Sequence, residues 1–389
     1  MSNEASDRSV IEIVDALLGQ AVRQEVSDIH LESTMDGLRV RFRVDGLLYD
    51  QEPFHNDLMQ QIISRIKVLS NLDIAQKRVP QDGKFQFICN DHAIDMRVST
   101  FPTLFGQKVV IRILDPSVKN ITIDHLGMSL PIKEQFIGML SQPQGFFLVT
   151  GPTGSGKTTT LYAGLSHINR AEKNIITLED PIEYHIEGIT QGHIHPESGF
   201  TFEKGMRALL RQDPDIVMVG EIRDQQTAQI AIQSAMTGHL VLSTLHTNDA
   251  PSVIMRLMDM GIEPFLINSS LSGVLAQRLA RILCSDCKRA RPLKIDEKLF
   301  CDKFHAGITS MYEAAGCKSC FGFGYKGRIG IFELLIMSHA LRELMNQSPS
   351  LEMIKEQAYK EGMVSLMSDG LDKVAQGIIS LDELLRVVS

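Results

Sequence analysis

The chain has no uninterrupted apolar run approaching the roughly 20 residues that a membrane span requires, so a helical membrane protein is not expected. Its first residues, Met1–Arg8, are polar and lack a basic cluster, and an amphipathic stretch follows them. That pattern excludes a secretory signal peptide, and the protein is expected in the cytoplasm. Positive charge is short as well: 39 Lys and Arg stand against 47 Asp and Glu, a net charge of −8. This argues against non-specific nucleic-acid binding, although net charge does not exclude a local basic groove. Cysteine is scarce, six residues in 389, and in a cytosolic chain these mean metal or structural thiols more often than disulfides. There is no internal repeat and no low-complexity tract. What is present is an ordinary 43% of hydrophobic residues and length for about two or three domains.

Residues 10–25 place Val10, Ile13, Val14, Leu17, Leu18, Ala21 and Val22 on one stripe, which predicts an amphipathic helix. Alternation follows in 28–32, 38–44, 83–88, 93–98 and 108–114, with Arg39, Arg41 and Arg43 sharing one strand face. Asp45-Gly46 is a hairpin signal. Residues 1–115 therefore read as an α+β domain with an antiparallel sheet. Asp115-Pro116 breaks the last strand, and 116–130 reads as a linker. From 131 to 389 the apolar runs 146–150, 175–178, 216–219 and 239–244 alternate with helical stretches, the pattern of a mostly parallel sheet flanked by helices. A cysteine-bearing insertion occupies about 280–325, and two or three amphipathic helices are expected over 335–389.

The densest chemistry lies in Gly151, Pro152, Thr153, Gly154, Ser155, Gly156, Lys157 and Thr158, a Gly, four residues, then Gly-Lys-Thr. An apolar strand precedes it, and a helical stretch from Thr159 follows, which is the context a phosphate loop requires. The glycines let backbone N–H groups converge on phosphate oxygens, and the helix start adds partial positive charge. Lys157 is expected on the β- and γ-phosphates of ATP and Thr158 on Mg²⁺. Glu221, delivered by the apolar strand 216–219, is the candidate for polarising the attacking water. Gly220 stands where many such enzymes carry Asp, so metal support is expected partly from Glu179 and Asp180 at the end of a second strand; a solvated acidic loop is the alternative. His239 and His246 bracket the strand 240–245 as candidate γ-phosphate sensors. Arg207 and Arg211, four apart on a predicted helix, together with Arg223, Arg97 and Arg112, are candidates for neutralising the leaving phosphates from a mobile domain or a neighbouring subunit; each taken singly also fits a surface charge. Cys284, Cys287, Cys317 and Cys320 form two CxxC pairs suited to a closed, tetrahedral Zn²⁺ site, while Cys89 and Cys301 read as packing residues.

Taken together, these stretches resemble the secretion and pilus-assembly ATPases of bacterial type II secretion and type IV pilus systems. Residues 151–158 resemble that family's Walker A loop, 177–183 its aspartate box, 213–224 its atypical Walker B and 237–248 its histidine box. The four cysteines resemble the metal-binding subdomain of its secretion and extension members, and 27–32, 41–46, 78–83 and 95–100 look like its front-domain motifs. The resemblance spans essentially the whole chain. It implies an α/β, RecA-like motor preceded by a PAS-like α+β domain and carrying a small zinc-binding subdomain. It further implies a homo-hexamer at the inner face of the inner membrane, working through an inner-membrane platform protein and a membrane-anchored docking protein. The five arginines above align with the family's nucleotide-site or interface arginines. The expected function is ATP hydrolysis that drives pseudopilus assembly for type II secretion, with a type IV or competence pilus as the alternative. Typical secretion ATPases begin with one further docking domain, and this sequence starts at the second: it is either a trimmed chain or a naturally short member.

Retraction ATPases of the twitching type share the motor motifs and ordinarily lack the paired cysteines, so Cys284, Cys287, Cys317 and Cys320 speak against that branch. A type IV secretion ATPase is disfavoured in the same way. A DNA motor on the same fold predicts a basic pore, which the acidic balance does not support. A scaffold that binds but barely hydrolyses ATP is disfavoured by Glu221.

Overall fold

The computed structural model describes residues 9–89, 91–114, 121–304, 308–347 and 349–388. The polar N-terminus 1–8, the Asp115-Pro116 break and the first part of the expected linker lie outside them. The chain divides into two units, Met1–Lys119 and Asn120–Ser389.

The first unit runs α1 (Val10–Arg23), β1 (Asp28–Ser33), β2 (Gly37–Val44), β3 (Leu47–Asp50), β4 (Phe54–His55), α2 (Asn56–Leu69), β5 (Gln81–Cys89), β6 (His92–Thr103) and β7 (Gly106–Leu114). Ser9 and Glu12 close a capping box that starts α1, and the stripe expected from the sequence supplies its buried residues Ile13, Val14, Leu17, Leu18 and Ala21. The sheet is antiparallel in the order β3-β2-β1-β7-β6-β5. Asp45 and Gly46 both take positive φ in the β2–β3 turn, as a two-residue hairpin needs. Period-two alternation buries Val40, Phe42, Val109 and Ile111 and leaves the opposite face charged. On that face Arg41 and Lys108 pair with Glu32, and Arg43 and Arg112 with Asp28.

The second unit continues with α3 (Leu130–Leu140), β8 (Gly145–Thr150), α4 (Lys157–Ile168), β9 (Ile175–Glu179), β10 (Thr190–His193), α5 (Phe202–Leu209), β11 (Ile216–Val219), α6 (Gln225–Met236) and β12 (Leu240–Leu245). Then come α7 (Ser252–Asp259), α8 (Pro264–Ser270), β13 (Leu271–Leu283), β14 (Arg289–Pro292), α9 (Ile295–Phe304), β15 (Ser310–Glu313) and β16 (Tyr325–Ile336). The unit closes with α10 (His339–Met345), α11 (Leu351–Lys360), α12 (Leu366–Ala375) and α13 (Leu381–Val388). Its main sheet has the order β10-β9-β11-β12-β8-β13-β16, parallel except for the antiparallel β13–β16 pair. Helices cover both faces. Phe146, Leu148, Val217 and Val241 enter one core, and Phe147, Val149, Met218 and Leu242 the other. Burial on both faces explains why these strands read as unbroken apolar runs. Two expectations change here. The C-terminal stretch holds four short helices among the described residues, α10 to α13, rather than two or three, because helices end at Met345, Lys360 and Ala375. The segment just before and after the cysteines forms the long strands β13 and β16. Among the described residues no helix is long and apolar enough to cross a membrane.

Candidate functional site

Strand order builds the site. The loops after β9, β11, β12 and β8 leave the same edge of the sheet in that spatial sequence, the edge where parallel sheets present ligands. Residues 151–156 link β8 directly to α4, with Gly151, Gly154 and Gly156 at positive φ. Gly156 caps α4 in the left-handed region, so Lys157 and Thr158 occupy the first turn, where the helix end favours anions.

Lys157 Nζ donates to the carbonyls of Gly151 at 2.9 Å and Pro152 at 3.1 Å, and lies 3.5 Å from His246 Nδ1. Burial depresses its pKa to about 8; the Glu221 charge opposes that shift and the Arg278 charge adds to it. His246 Nε2 is 3.6 Å from a Glu221 oxygen. Glu221 also takes a close hydrogen bond from Arg223, whose other nitrogen is 3.8 Å from Asp180. Burial pushes the Glu221 carboxyl up, but the hydrogen bond from Arg223 and the charges of Arg223, His246 and Lys157 outweigh it and hold the group below the usual carboxylate range. The result is a row of ionisable groups, Lys157, His246, Glu221, Arg223 and Asp180, contributed at the ends of four neighbouring strands. Thr150 ties the row together: its hydroxyl donates to the Leu245 carbonyl and accepts from the Thr247 N–H. Such a row can place a cation against phosphate and a carboxylate against water.

Several residues singled out from the sequence stand elsewhere. Glu179 is buried and held by three donors: the Tyr162 hydroxyl, the Thr177 hydroxyl at 2.5 Å and the Gln191 amide at 3.1 Å. Its carboxylate points into the core, so of the two acids only Asp180 joins the row. The same enclosure pushes the Tyr162 hydroxyl pKa up, through burial first and then through Glu179. His239 sits at the opposite end of β12 from His246, its ring against the Ser234 carbonyl at 3.0 Å. At about 3.3 Å per residue that is roughly 20 Å from His246, so the pair does not converge on one phosphate. Arg207 and Arg211 do not share a helix face, because α5 ends at Leu209. Arg207 pairs with Glu203, and Arg211 donates to the Arg207 carbonyl. Arg97 and Arg112 are cross-strand partners on the exposed face of the first unit's sheet.

Reasoning from sequence missed Tyr162, Gln191, Gln277 and Arg278. The first two lie beyond any motif. Gln277 and Arg278 fall at the boundary read as the start of the insertion, yet they sit on β13 beside the glycine-rich loop 151–156.

Cys284 and Cys287 follow the end of β13, and Cys317 and Cys320 precede β16. All four sulfurs lie within 4.8 Å of one another, with separations of 3.9, 3.8 and 3.7 Å for 284–317, 287–320 and 317–320. A tetrahedron with Zn–S near 2.3 Å has edges of about 3.8 Å, so the donor set fits zinc. Backbone N–H groups of Gly316, Cys317 and Gly324 point at the sulfurs, the outer-shell support such sites use. Cys89 and Cys301 lie outside this cluster.

Comparison with known proteins agrees with this architecture. Type II secretion system ATPase E of Vibrio cholerae is 49% identical over 381 residues, covering 98% of this chain and 76% of the relative. Type II secretion system protein E of Pseudomonas aeruginosa is 47% identical, covering 100% and 77%. The type IV pilus assembly ATPase PilB of Myxococcus xanthus is 44% identical, covering 99% and 69%. Among solved structures, the Legionella pneumophila ATPase DotB superposes with a TM-score of 0.71 at 19% identity, covering 99% of this chain and 97% of that one. The ADP-bound pilus retraction motor PilT gives 0.63 at 24%, covering 96% of each. At these identities the structural likeness speaks for the fold. The profile described as Type II/IV secretion system protein matches residues 3–386, and the chain belongs to that family.

Proposed function

We propose that this protein is an ATPase that acts as a homo-hexamer to drive assembly of a pseudopilus for type II secretion, at the cytoplasmic face of the inner membrane and through platform and docking proteins there. The observation that carries the reading is the row of ionisable side chains from Lys157 to Asp180, built on four adjacent strand ends beside the glycine-rich loop. In it Lys157 and the loop N–H groups, with Gly151 to Thr159, bind the triphosphate. Glu221 orients and polarises water, and His246 lies between base and lysine to sense the γ-phosphate. Mg²⁺, which Thr158 would hold with support from Asp180, would supply Lewis-acid neutralisation of phosphate charge. Arg223 bridges Glu221 and Asp180 in the free protein and is the arginine best placed to turn toward the leaving phosphates. Arg97, Arg112, Arg207 and Arg211 remain proposed contributors from a moving front unit or a neighbouring subunit. The tetracysteine cluster would hold structural Zn²⁺.

A pilus-assembly role is the second reading, favoured by the identity to PilB, which is close to that of the secretion relatives. Purified protein is expected to show ATP turnover that rises with the hexamer fraction, and rises further with the cytoplasmic part of the platform protein. Turnover that is absent at every oligomer size would remove the motor reading.

The lysine adds a pH signature. Burial depresses the Lys157 pKa to about 8, and phosphate beside it favours the charged form, so nucleotide binding is expected to raise its pKa. Binding at pH 8.5 is then expected to take up protons, and affinity to fall as pH rises through about 8 to 10; at pH 6.5, where the lysine is charged in both states, no such uptake arises from it. Calorimetry in two buffers of different ionisation heat measures this. Equal heats in both at pH 8.5 would contradict it.

A further inference from the structure

Gln277 lies on β13 with a side chain only 2% exposed. Its amide nitrogen donates to the Ser155 carbonyl at 2.8 Å, and its amide oxygen accepts from the Thr160 hydroxyl at 2.7 Å. One planar group thus grips both the middle of the phosphate loop and the first turn of α4. In a trans peptide the C=O and N–H point in opposite directions. Holding the Ser155 carbonyl against β13 therefore turns the Gly156 N–H away from β13, toward the open side of the loop. The loop is tight against this amide: a Cβ on Gly156 would come within 2.8 Å of the Gln277 amide nitrogen, and one on Gly151 within 2.5 Å of the Gln277 carbonyl oxygen. The adjacent Arg278 donates to the Asn248 carbonyl at 2.7 Å, in the segment that follows His246.

We propose that Gln277 is a positioning residue for phosphate binding, fixing the Ser155–Gly156 peptide so that its N–H faces the nucleotide. This rests on the reading of residues 151–158 as the ATP site. Glutamine suits the place because one amide supplies both a donor and an acceptor. Glutamate would keep the bond from Thr160, lose the donor to Ser155 and put negative charge under a loop that must receive phosphate. Methionine would fill the same volume with neither bond and leave a buried carbonyl unsatisfied.

The test uses the full chain and a non-hydrolysable ATP analogue, with kcat and KM for ATP alongside. Gln277→Met is expected to weaken binding about tenfold, the size of one lost buried hydrogen bond, and to raise KM by a similar factor. kcat at saturation should stay within about threefold. Gln277→Glu should weaken binding more than Gln277→Met does. Thr160→Val should have a smaller effect, and the double variant Gln277→Met with Thr160→Val should be no worse than Gln277→Met alone, because the two residues act as one unit. Unchanged affinity in folded Gln277→Met overturns the inference, as does a fall in kcat without a rise in KM. If Gln277→Met fails to fold by thermal melt, Gln277→Glu carries the test, and unchanged affinity there overturns it. Lys157→Ala separates the underlying reading: should it bind the analogue as tightly as the unaltered protein, the assignment of the loop fails rather than the role of Gln277.

Discussion

Lys157→Ala is expected to abolish detectable ATP binding and hydrolysis, whereas Glu221→Ala is expected to keep ATP bound and slow its turnover by about a hundredfold or more. The contrast follows from position. Lys157 leaves the first turn of α4 with its ammonium among the loop carbonyls, and its hydrogen bonds go to these rather than to a carboxylate. A triphosphate can draw that cation out of the loop at small cost. Glu221 stands farther along the row, separated from Lys157 by His246 and turned toward Arg223. It does not need to touch a bound phosphate to act. Its carboxyl is held below the ordinary range and so stays ionised at neutral pH, as a group that polarises water must. Equilibrium binding of an ATP analogue together with single-turnover hydrolysis separates the two roles. Normal turnover in Glu221→Ala would refute the assignment of the carboxylate.

Replacing Cys284 with Ser is expected to release zinc and melt the insertion between β13 and β16. Structural Zn²⁺ contributes apparent binding energies of roughly 10–16 kcal/mol in small metal-folded domains. Few single side chains carry as much. Besides the metal, the described residues of the insertion offer a two-stranded sheet, β14 with β15, and the ten-residue helix α9; Cys301, Ile308 and Met311 enter the core, while Ile295 and Leu299 face solvent. The damage should spread inward, because Cys284 directly follows β13 and Cys320 closely precedes β16, and β13 also carries Gln277. Metal analysis of the intact protein should find one zinc per chain, and Cys284→Ser should lose it together with a drop in melting temperature. A metal-free intact protein, or a Ser variant that retains stoichiometric zinc, would overturn this.

Much of the architecture was legible because it is written in local patterns. The runs 146–150 and 216–219 are apolar at nearly every position, and they proved to be strands buried on both faces. The alternation of 108–114 likewise proved to be a half-exposed strand, β7. The failures share a cause. Glu179 looked like a site acid because it adjoins Asp180; a one-residue step at the end of a strand turns its side chain to the other face, where Tyr162 and Gln191 meet it. His239 and His246 looked paired because they bracket a single strand, but a strand holds its ends apart where a turn would bring them together. Arg207 and Arg211 looked like one face because their spacing was assumed to lie inside a helix that ends at Leu209.

By itself the sequence determined the glycine-rich loop between a strand and a helix, the pairing of cysteines around an insertion, the alternation of strands and helices, and the family. Each of these is built from short motifs whose residues lie within a turn or two of one another, where covalent geometry leaves few choices. Only the tertiary structure decided which groups meet: the order β9-β11-β12-β8-β13 sets Asp180, Glu221, His246, Lys157 and Gln277 side by side. Those neighbours are far apart along the chain. What joins them is the burial of both faces of one sheet, which is a property of the packed whole rather than of any segment.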